Sequence, residues 1–320
     1  MKVFVTGAAG QIGRPLVDAL HARGDQVTVL VRARRAPRAP FAAGVRVLEG
    51  SLEDTGAVAG AAHGAEVVFH LAGGVRGPGT LTAQTLNVGG TDALLSGLAR
   101  AHTKPVVVYA STGAVHGDRS GLWVTEAHAP CPDTDYARSK LAAEELLRSS
   151  GARTRVARLG LVVGPGIRAT MEDRLRLGRA WLPGEGTNHV PLVHVDDAVG
   201  ALLRIADHGV DGQTVHVAAP VAVTLAEFYA AVRAQVGGDP ARFWSTWVPS
   251  AAQFGLARAV DSASTRLGVQ PLVTPDLLRL WTASVRLRTD RLERELGYVW
   301  RWRDVRDAFT TPRPASAATG

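Results

Sequence analysis

Apolar residues in the first two-thirds of the chain fall into short runs separated by longer stretches with one polar face. Lys2–Thr6, Gln26–Arg32, Val45–Glu49, Ala65–Ala72, Pro105–Ser111 and Thr154–Leu161 are rich in Val, Ile and Leu, which predicts buried strands. Between them, Gly10–Arg23, Asp54–Ala62, Gln84–His102 and Tyr136–Ser150 carry helical spacing and charged faces. Strands that are apolar on both sides need cover on both faces. Their alternation with helices therefore predicts an α/β fold with a parallel sheet, and right-handed crossovers make that sheet doubly wound.

The pattern changes at Gly164-Pro165-Gly166. Arg168–Glu185 predicts a helix and loop leading away from the sheet, and Val190–Val195 a short returning strand. Asp196-Asp197 is placed to start a helix over Asp197–Asp207, and Gln213–Ala218 reads as a further strand. From Thr224 the pattern is mostly helical and rich in Trp and Pro, ending in Asp290–Gly297 and Tyr298-Val299-Trp300. The expected organisation is a nucleotide-binding part over 1–165, to which 190–220 returns. Residues 166–189 and 221–310 would form a smaller, mostly helical substrate-binding region, and 311–320 a frayed tail.

Composition narrows the class. Hydrophobic residues make up 46% and charged residues 20%, an ordinary globular balance. No run reaches the roughly 18 uncharged apolar residues of a membrane span, and Met1–Val5 offers no export signal, so a cytoplasmic protein without a membrane partner is expected. The single cysteine, Cys131, excludes an intrachain disulfide or a cysteine-rich metal site. The net charge of +7 could suit nucleic acid, but the arginines are scattered and no basic stripe interleaves with aromatics, so no such partner is expected. Of 36 basic residues only Lys2, Lys104 and Lys140 are lysine.

Thr6-Gly7-Ala8-Ala9-Gly10-Gln11-Ile12-Gly13 directly follows the first strand and opens the first helix. Gly7 permits a tight turn, Gly10 lets the backbone approach a pyrophosphate, and Gly13 lets helix and strand pack closely, with the helix N-terminus facing the anion. The spacing is G-x-x-G-x-x-G, and the context is a Rossmann-like dinucleotide site. The second strand ends at Arg32, with Arg34 and Arg35 behind it, where binders of NAD place an acid. Guanidinium groups match a 2′-phosphate in charge and geometry, so NADP(H) is expected in preference to NAD(H).

Tyr136 and Lys140 are spaced i and i+4 at the start of a predicted helix, on one face. An ammonium and a helix N-terminus near the phenol are both expected to lower its pKa toward the working range.

With these motifs the chain resembles the extended short-chain dehydrogenase/reductase, or NAD-dependent epimerase/dehydratase, family, closest in look to its hydroxysteroid dehydrogenase and dihydroflavonol reductase branch. The likeness runs from Val3 to about Phe309. It takes in His70-Leu71-Ala72-Gly73, Asn87-Val88-Gly89-Gly90-Thr91, Tyr109-Ala110-Ser111-Thr112, Val193-His194-Val195-Asp196-Asp197 and Glu295-Leu296-Gly297-Tyr298. The resemblance implies that Thr112, rather than its neighbour Ser111, bonds the substrate oxygen. Tyr136 would exchange a proton with that oxygen, and Lys140 would bind the nicotinamide ribose. It places Gly7, Gly10, Gln11, Ile12, Gly13, Leu71, Ala72 and Gly73 around the cofactor, with Leu161 and Val163 toward the nicotinamide. Asn87 would position the active-site segments, and the chain would form a homodimer through the helices holding Gln84–His102 and Tyr136–Ser150. Ser51-Leu52 stands where relatives often have Asp-Leu at the adenine, and His116 replaces a frequent tyrosine. His116 and His194 read as structural histidines.

The implied reaction is hydride transfer to or from a carbonyl. A small-molecule ketone or aldehyde reductase, on a secondary-metabolite or steroid-like substrate, is the first reading. A nucleotide-sugar 4-ketoreductase or epimerase is the alternative; Gly113-Ala114 after Thr112, instead of an Asp-Glu pair, argues against dehydration. A non-catalytic dinucleotide sensor comes third, because Tyr136 and Lys140 are both retained. The substrate-choosing positions are expected within Gly113–Pro132, Arg168–His189 and Arg242–Thr274.

Overall fold

The computed structural model describes residues 1–32, 40–75, 82–164, 184–236, 250–267 and 274–310. Seven parallel strands form the central sheet: β1 (Lys2–Thr6), β2 (Gln26–Val31), β3 (Arg46–Glu49), β4 (Val67–His70), β5 (Val106–Thr112), β7 (Thr154–Leu159) and β11 (Thr214–Val217). Short strands pair outside it: β6 (Trp123–Val124), β8 (Leu161–Val163), β9 (His189–Val190), β10 (Leu192–His194), β12 (Val223–Thr224) and β13 (Arg286–Leu287). The described helices are α1 (Gly13–Ala22), α2 (Thr55–Ala62), α3 (Gly90–Arg100), α4 (Asp135–Ser149), α5 (Val195–His208), α6 (Leu225–Val236), α7 (Ser250–Leu267), α8 (Pro275–Thr282) and α9 (Asp307–Thr310).

The strand order is β11-β7-β5-β4-β1-β2-β3, the doubly wound α/β arrangement expected from the alternating pattern. Alternate residues of each strand serve opposite faces. Val3 and Val5 join Leu16, Leu20, Leu202 and Ile205 in one core, under α1 and α5. Phe4 joins Val58, Leu94, Leu98 and Leu147 in the other, under α2, α3 and α4. The order reverses between β1 and β4, and their C-terminal ends open the crevice where such folds bind ligands.

Several boundaries differ from expectation. The run Thr154–Leu161 breaks at Gly160, where a Cβ would lie 2.5 Å from the Pro191 carbonyl oxygen; β7 stays in the main sheet while β8 turns to pair with β10. Val190–Val195 divides into β9 and β10. The segment predicted as one helix over Gln84–His102 opens with a π-helical turn, Thr85–Gly89. Asp197 does not start its helix: α5 begins at Val195, and the His194 ring accepts the Asp196 N–H at 3.2 Å as its cap. The predicted helix over Arg168–Glu185 lies largely outside the described residues, as do Arg34, Arg35, Trp181, Trp244 and Trp247.

Residues 291–300, read by pattern as part of the smaller region, pack on the core beside β1, α1 and α5, to which Leu292, Leu296 and Trp300 belong. Asp197 ties them down. Its carboxylate accepts from the Tyr298 hydroxyl at 2.8 Å and from the backbone N–H groups of Arg301 and Trp302 at 2.8 and 2.9 Å.

Candidate active site

The turn between β1 and α1 is shaped for close backbone approach. Gly7 has a φ of 71°, and a Cβ there would lie 2.7 Å from the Ala72 nitrogen. At Gly13 a Cβ would lie 2.2 Å from the Gly7 carbonyl oxygen, so no side chain fits between turn and helix. Ile12 caps α1 without a side-chain hydrogen bond, and no acid stands in the first turn. The positive end of the helix is left to an anion, so this cradle fits a dinucleotide pyrophosphate.

A chain of buried polar groups fixes the opposite wall. The Thr91 hydroxyl donates to the Asn87 carbonyl at 2.6 Å and so accepts from His70 Nε2 at 3.1 Å. That leaves His70 Nδ1 to accept from the Thr6 hydroxyl at 2.8 Å, while the Thr6 oxygen takes the Ala72 N–H at 3.2 Å. Burial, and then the charge of Lys140, hold His70 at a pKa of about 3, so it stays neutral. Asn87 clasps the loop after β4 through both its amide atoms and Gly74, and it donates to Ser139 of α4 at 2.8 Å. It ties those two segments together without lining the cavity itself.

Thr134 starts α4 by accepting the Ala137 N–H at 3.2 Å, which brings Tyr136 and Lys140 to the crevice one turn apart. The Lys140 ammonium donates to the Ala110 carbonyl at 2.8 Å and lies 4.8 Å from the Tyr109 ring centre. Its pKa falls to about 8, because burial disfavours the charge more than Glu144 restores it. Tyr136 departs from expectation. Burial raises its pKa, and a hydrogen bond with Thr112 offsets this in part. Lys140 does not dominate here, because the ammonium is itself desolvated and engaged with a carbonyl. The phenol therefore keeps its proton at neutral pH.

Thr112 ends β5 and caps the following turn, its oxygen accepting the Ala114 N–H at 3.2 Å. Its own proton is then available to the phenol oxygen. Ser111 points elsewhere, its hydroxyl donating to Glu144. The geometry thus separates the two neighbours.

These groups line a cavity of about 520 Å³. Thr112, Tyr136 and Lys140 lie on its wall together with Gly7, Gly10, Gln11, Ile12, Gly13, Leu71, Gly73 and Leu161. Arg32, Ser51, Leu52, Ala72 and Val163 are not on it. Arg32 is an exposed side chain at the end of β2. Ser51 bonds the Glu53 carboxylate, whose pKa is lowered by that bond and, to a smaller extent, by the charge of Arg32. Val163 is buried in a core beside Val190 and Leu225. Among lining residues the sequence reading passed over are Asp133, Val190, Leu277, Leu280, Trp281 and Val285. Four of these lie at 277–285, just beyond the stretch ending at Thr274 from which selectivity was expected. The i, i+3, i+4 spacing of Leu277, Leu280 and Trp281 was the available signal, since it gives α8 an apolar face.

His116 and His194 are structural in the sense expected of them. His116 is buried and meets His216, Nε2 to Nε2, at 2.9 Å, and burial holds both near a pKa of about 3. His194 caps α5 and packs on Trp302, ring centres 5.4 Å apart.

Residues 3–218 match the NAD dependent epimerase/dehydratase family. The chain belongs to that family. It is accordingly an NAD(P)-dependent oxidoreductase of the extended short-chain dehydrogenase/reductase type. It is 30% identical to a 4-hydroxy-2-methyl-3-oxo-4-farnesyl-3,4-dihydroquinoline-1-oxide ketoreductase of Stigmatella aurantiaca, over 94% of this chain and 92% of the relative. It is 29% identical to a UDP-glucose 4-epimerase of Mycolicibacterium smegmatis, over 74% of this chain and 83% of that one. Among solved structures, MoeE5 in complex with UDP-glucuronic acid and NAD superposes with a TM-score of 0.73 at 24% identity, over 97% and 96% of the two chains, a likeness of fold. Among the described residues, no helix is long and apolar enough to cross a membrane.

Proposed function

We propose that this member of the family is an NADPH-dependent reductase of an apolar small-molecule ketone or aldehyde. The observation that carries the reading is the Tyr136 phenol on a cavity whose facing wall is apolar. Val190, Leu277, Leu280, Trp281 and Val285 form that wall, and Lys140 is the one lysine or arginine among its described lining residues. A nucleotide-sugar would bring a second pyrophosphate that needs cations of its own, which favours the reductase over the epimerase alternative. The ketoreductase relative, matched over nearly its whole length, points the same way.

When bound, the nicotinamide supplies the hydride. Gly7, Gly10 and Gly13 hold the cofactor's pyrophosphate, and Lys140 holds the nicotinamide ribose. Thr112 and Tyr136 orient the carbonyl oxygen through hydrogen bonds. Tyr136 then donates its proton to that oxygen as negative charge develops on it. Arg32 supports NADPH as the reductant, because its exposed guanidinium suits a 2′-phosphate. Assembly as a homodimer through α3 and α4, which lie side by side over one sheet face, belongs to the same proposal, as does work in the cytoplasm.

Fluorescence titration should show tighter binding of NADPH than of NADH; equal or reversed affinities would remove the Arg32 argument. A panel of steroidal, aromatic, aliphatic and nucleotide-sugar ketones should give turnover on an apolar member. In Tyr136→Phe that turnover should fall by about 10²-fold or more, with cofactor affinity near that of the parent. Turnover confined to the nucleotide-sugars would move the assignment to the alternative.

A further inference from the structure

Below the acid–base pair lies a buried ion pair that the mechanism above does not use. Glu144 stands one turn after Lys140 on α4, and its side chain is fully buried. Arg158 of β7 donates Nε and Nη2 to its two carboxylate oxygens at 3.1 and 2.8 Å, and Ser111, next to Thr112 on β5, donates to Oε1. Replacing such a pair by apolar side chains often costs nothing in stability, so stability alone gives little reason for charge at this point. We propose that Glu144 is a positioning residue for Lys140: a carboxylate clamped by Arg158 and Ser111 that serves as the counter-charge of the Lys140 ammonium.

The surroundings of Lys140 support this assignment. Among the described residues, the titratable groups facing it are Tyr136 and Glu144 on its own helix, His70 at the end of β4 and Tyr109 of β5, with Arg158 of β7 behind Glu144. His70 is neutral, and burial first, then Tyr136 and Glu144, push Tyr109 well above its ordinary value, so it stays neutral as well. His116, which Arg158 Nη1 approaches at 3.4 Å, is neutral too. Glu144 is thus the anion set against two buried cations. Without it, Arg158 would stand as an unpaired positive charge behind Lys140, and burial would act on the ammonium unopposed. The Lys140 pKa would then drop toward or below neutrality, and the ammonium that holds the ribose would be lost in the working range.

Only three lysines occur in the chain, so the idea can be read directly. In protein carrying ¹³Cε-lysine, three NMR signals are expected, assigned with Lys2→Arg and Lys104→Arg. In the parent the Lys140 signal should titrate at about 8. Glu144→Gln, nearly isosteric, should lower that midpoint by about one unit or more, and Arg158→Gln should raise it. The double variant, in which net charge is restored, should return to within about half a unit of the parent. Midpoints that stay together across all three variants would overturn the proposal and leave Glu144 a packing residue. Should Glu144→Gln fail to fold, the upward shift in Arg158→Gln decides alone, its absence counting against the proposal. The inference rests on Tyr136 and Lys140 being the acid–base pair. This titration needs no substrate, so its failure is distinct from retained turnover in Tyr136→Phe, which would defeat that reading itself.

Discussion

At the scale of residues, this site works by controlling where protons sit. Lys140 and Tyr136 were legible from their i, i+4 spacing, but the sign of the tyrosine's shift was not, since it depends on burial and on the hydrogen bonds each partner makes elsewhere. His70 shows the same control. Its folded pKa of about 3 lies below its unfolded value of 6.5, so between those values the unfolded chain binds the extra proton. Stability from this group is therefore complete above pH 6.5 and is lost as pH falls toward 3, by about 2 kcal/mol at pH 5. His70→Gln should show a shallower fall in unfolding free energy from pH 7 to pH 5 than the parent in urea titrations. Equal slopes would mean that His70 takes up its proton while folded.

At the scale of elements, caps and turns explain both what the pattern foretold and where it slipped. The glycine turn after β1 was readable because its requirement is local and steric. Gly13→Ala would drive a Cβ to 2.2 Å from the Gly7 oxygen, so a loss of about 1–3 kcal/mol in stability and a weakened NADPH titration are expected. Gly60→Ala in α2, where a Cβ meets nothing within 4 Å, should instead leave stability unchanged or raise it by up to about 1 kcal/mol. Thermal melts of the two variants side by side test the contrast. The start of α5 was misplaced because two aspartates are stronger local cap signals than a histidine. The approach of Gly164 and Trp302 to His194 helps to set that ring where it takes the role.

At the scale of the whole molecule, residues 291–302 return to pack on the core beside β1, α1 and α5. Asp197→Ala would leave the Arg301 and Trp302 N–H groups without their acceptor and the Tyr298 hydroxyl with the Asp197 carbonyl alone, so a cost of about 2 kcal/mol or more is expected, with hydrogen exchange rising first over 290–302. Uniform loosening of the whole chain would argue against a local staple. The apolar face of α8 reaches the Tyr136 cavity from more than 140 residues further along the chain. No periodicity states which wall it will cover.

Local chemistry is written in neighbouring residues. A strand apolar on both sides, a turn that admits no Cβ, and a phenol one helical turn from an amine each follow from short stretches read alone, and together they decided the sheet, the cradle and the reactive pair. Contacts between distant segments obey no such rule. That Arg158 meets Glu144, that Asp197 holds Tyr298, and that Leu277 and Trp281 line the cavity beside Tyr136 depend on how packed layers bring remote side chains together. The protonation of Tyr136 depends on it too, because solvent exclusion is a property of the assembled interior.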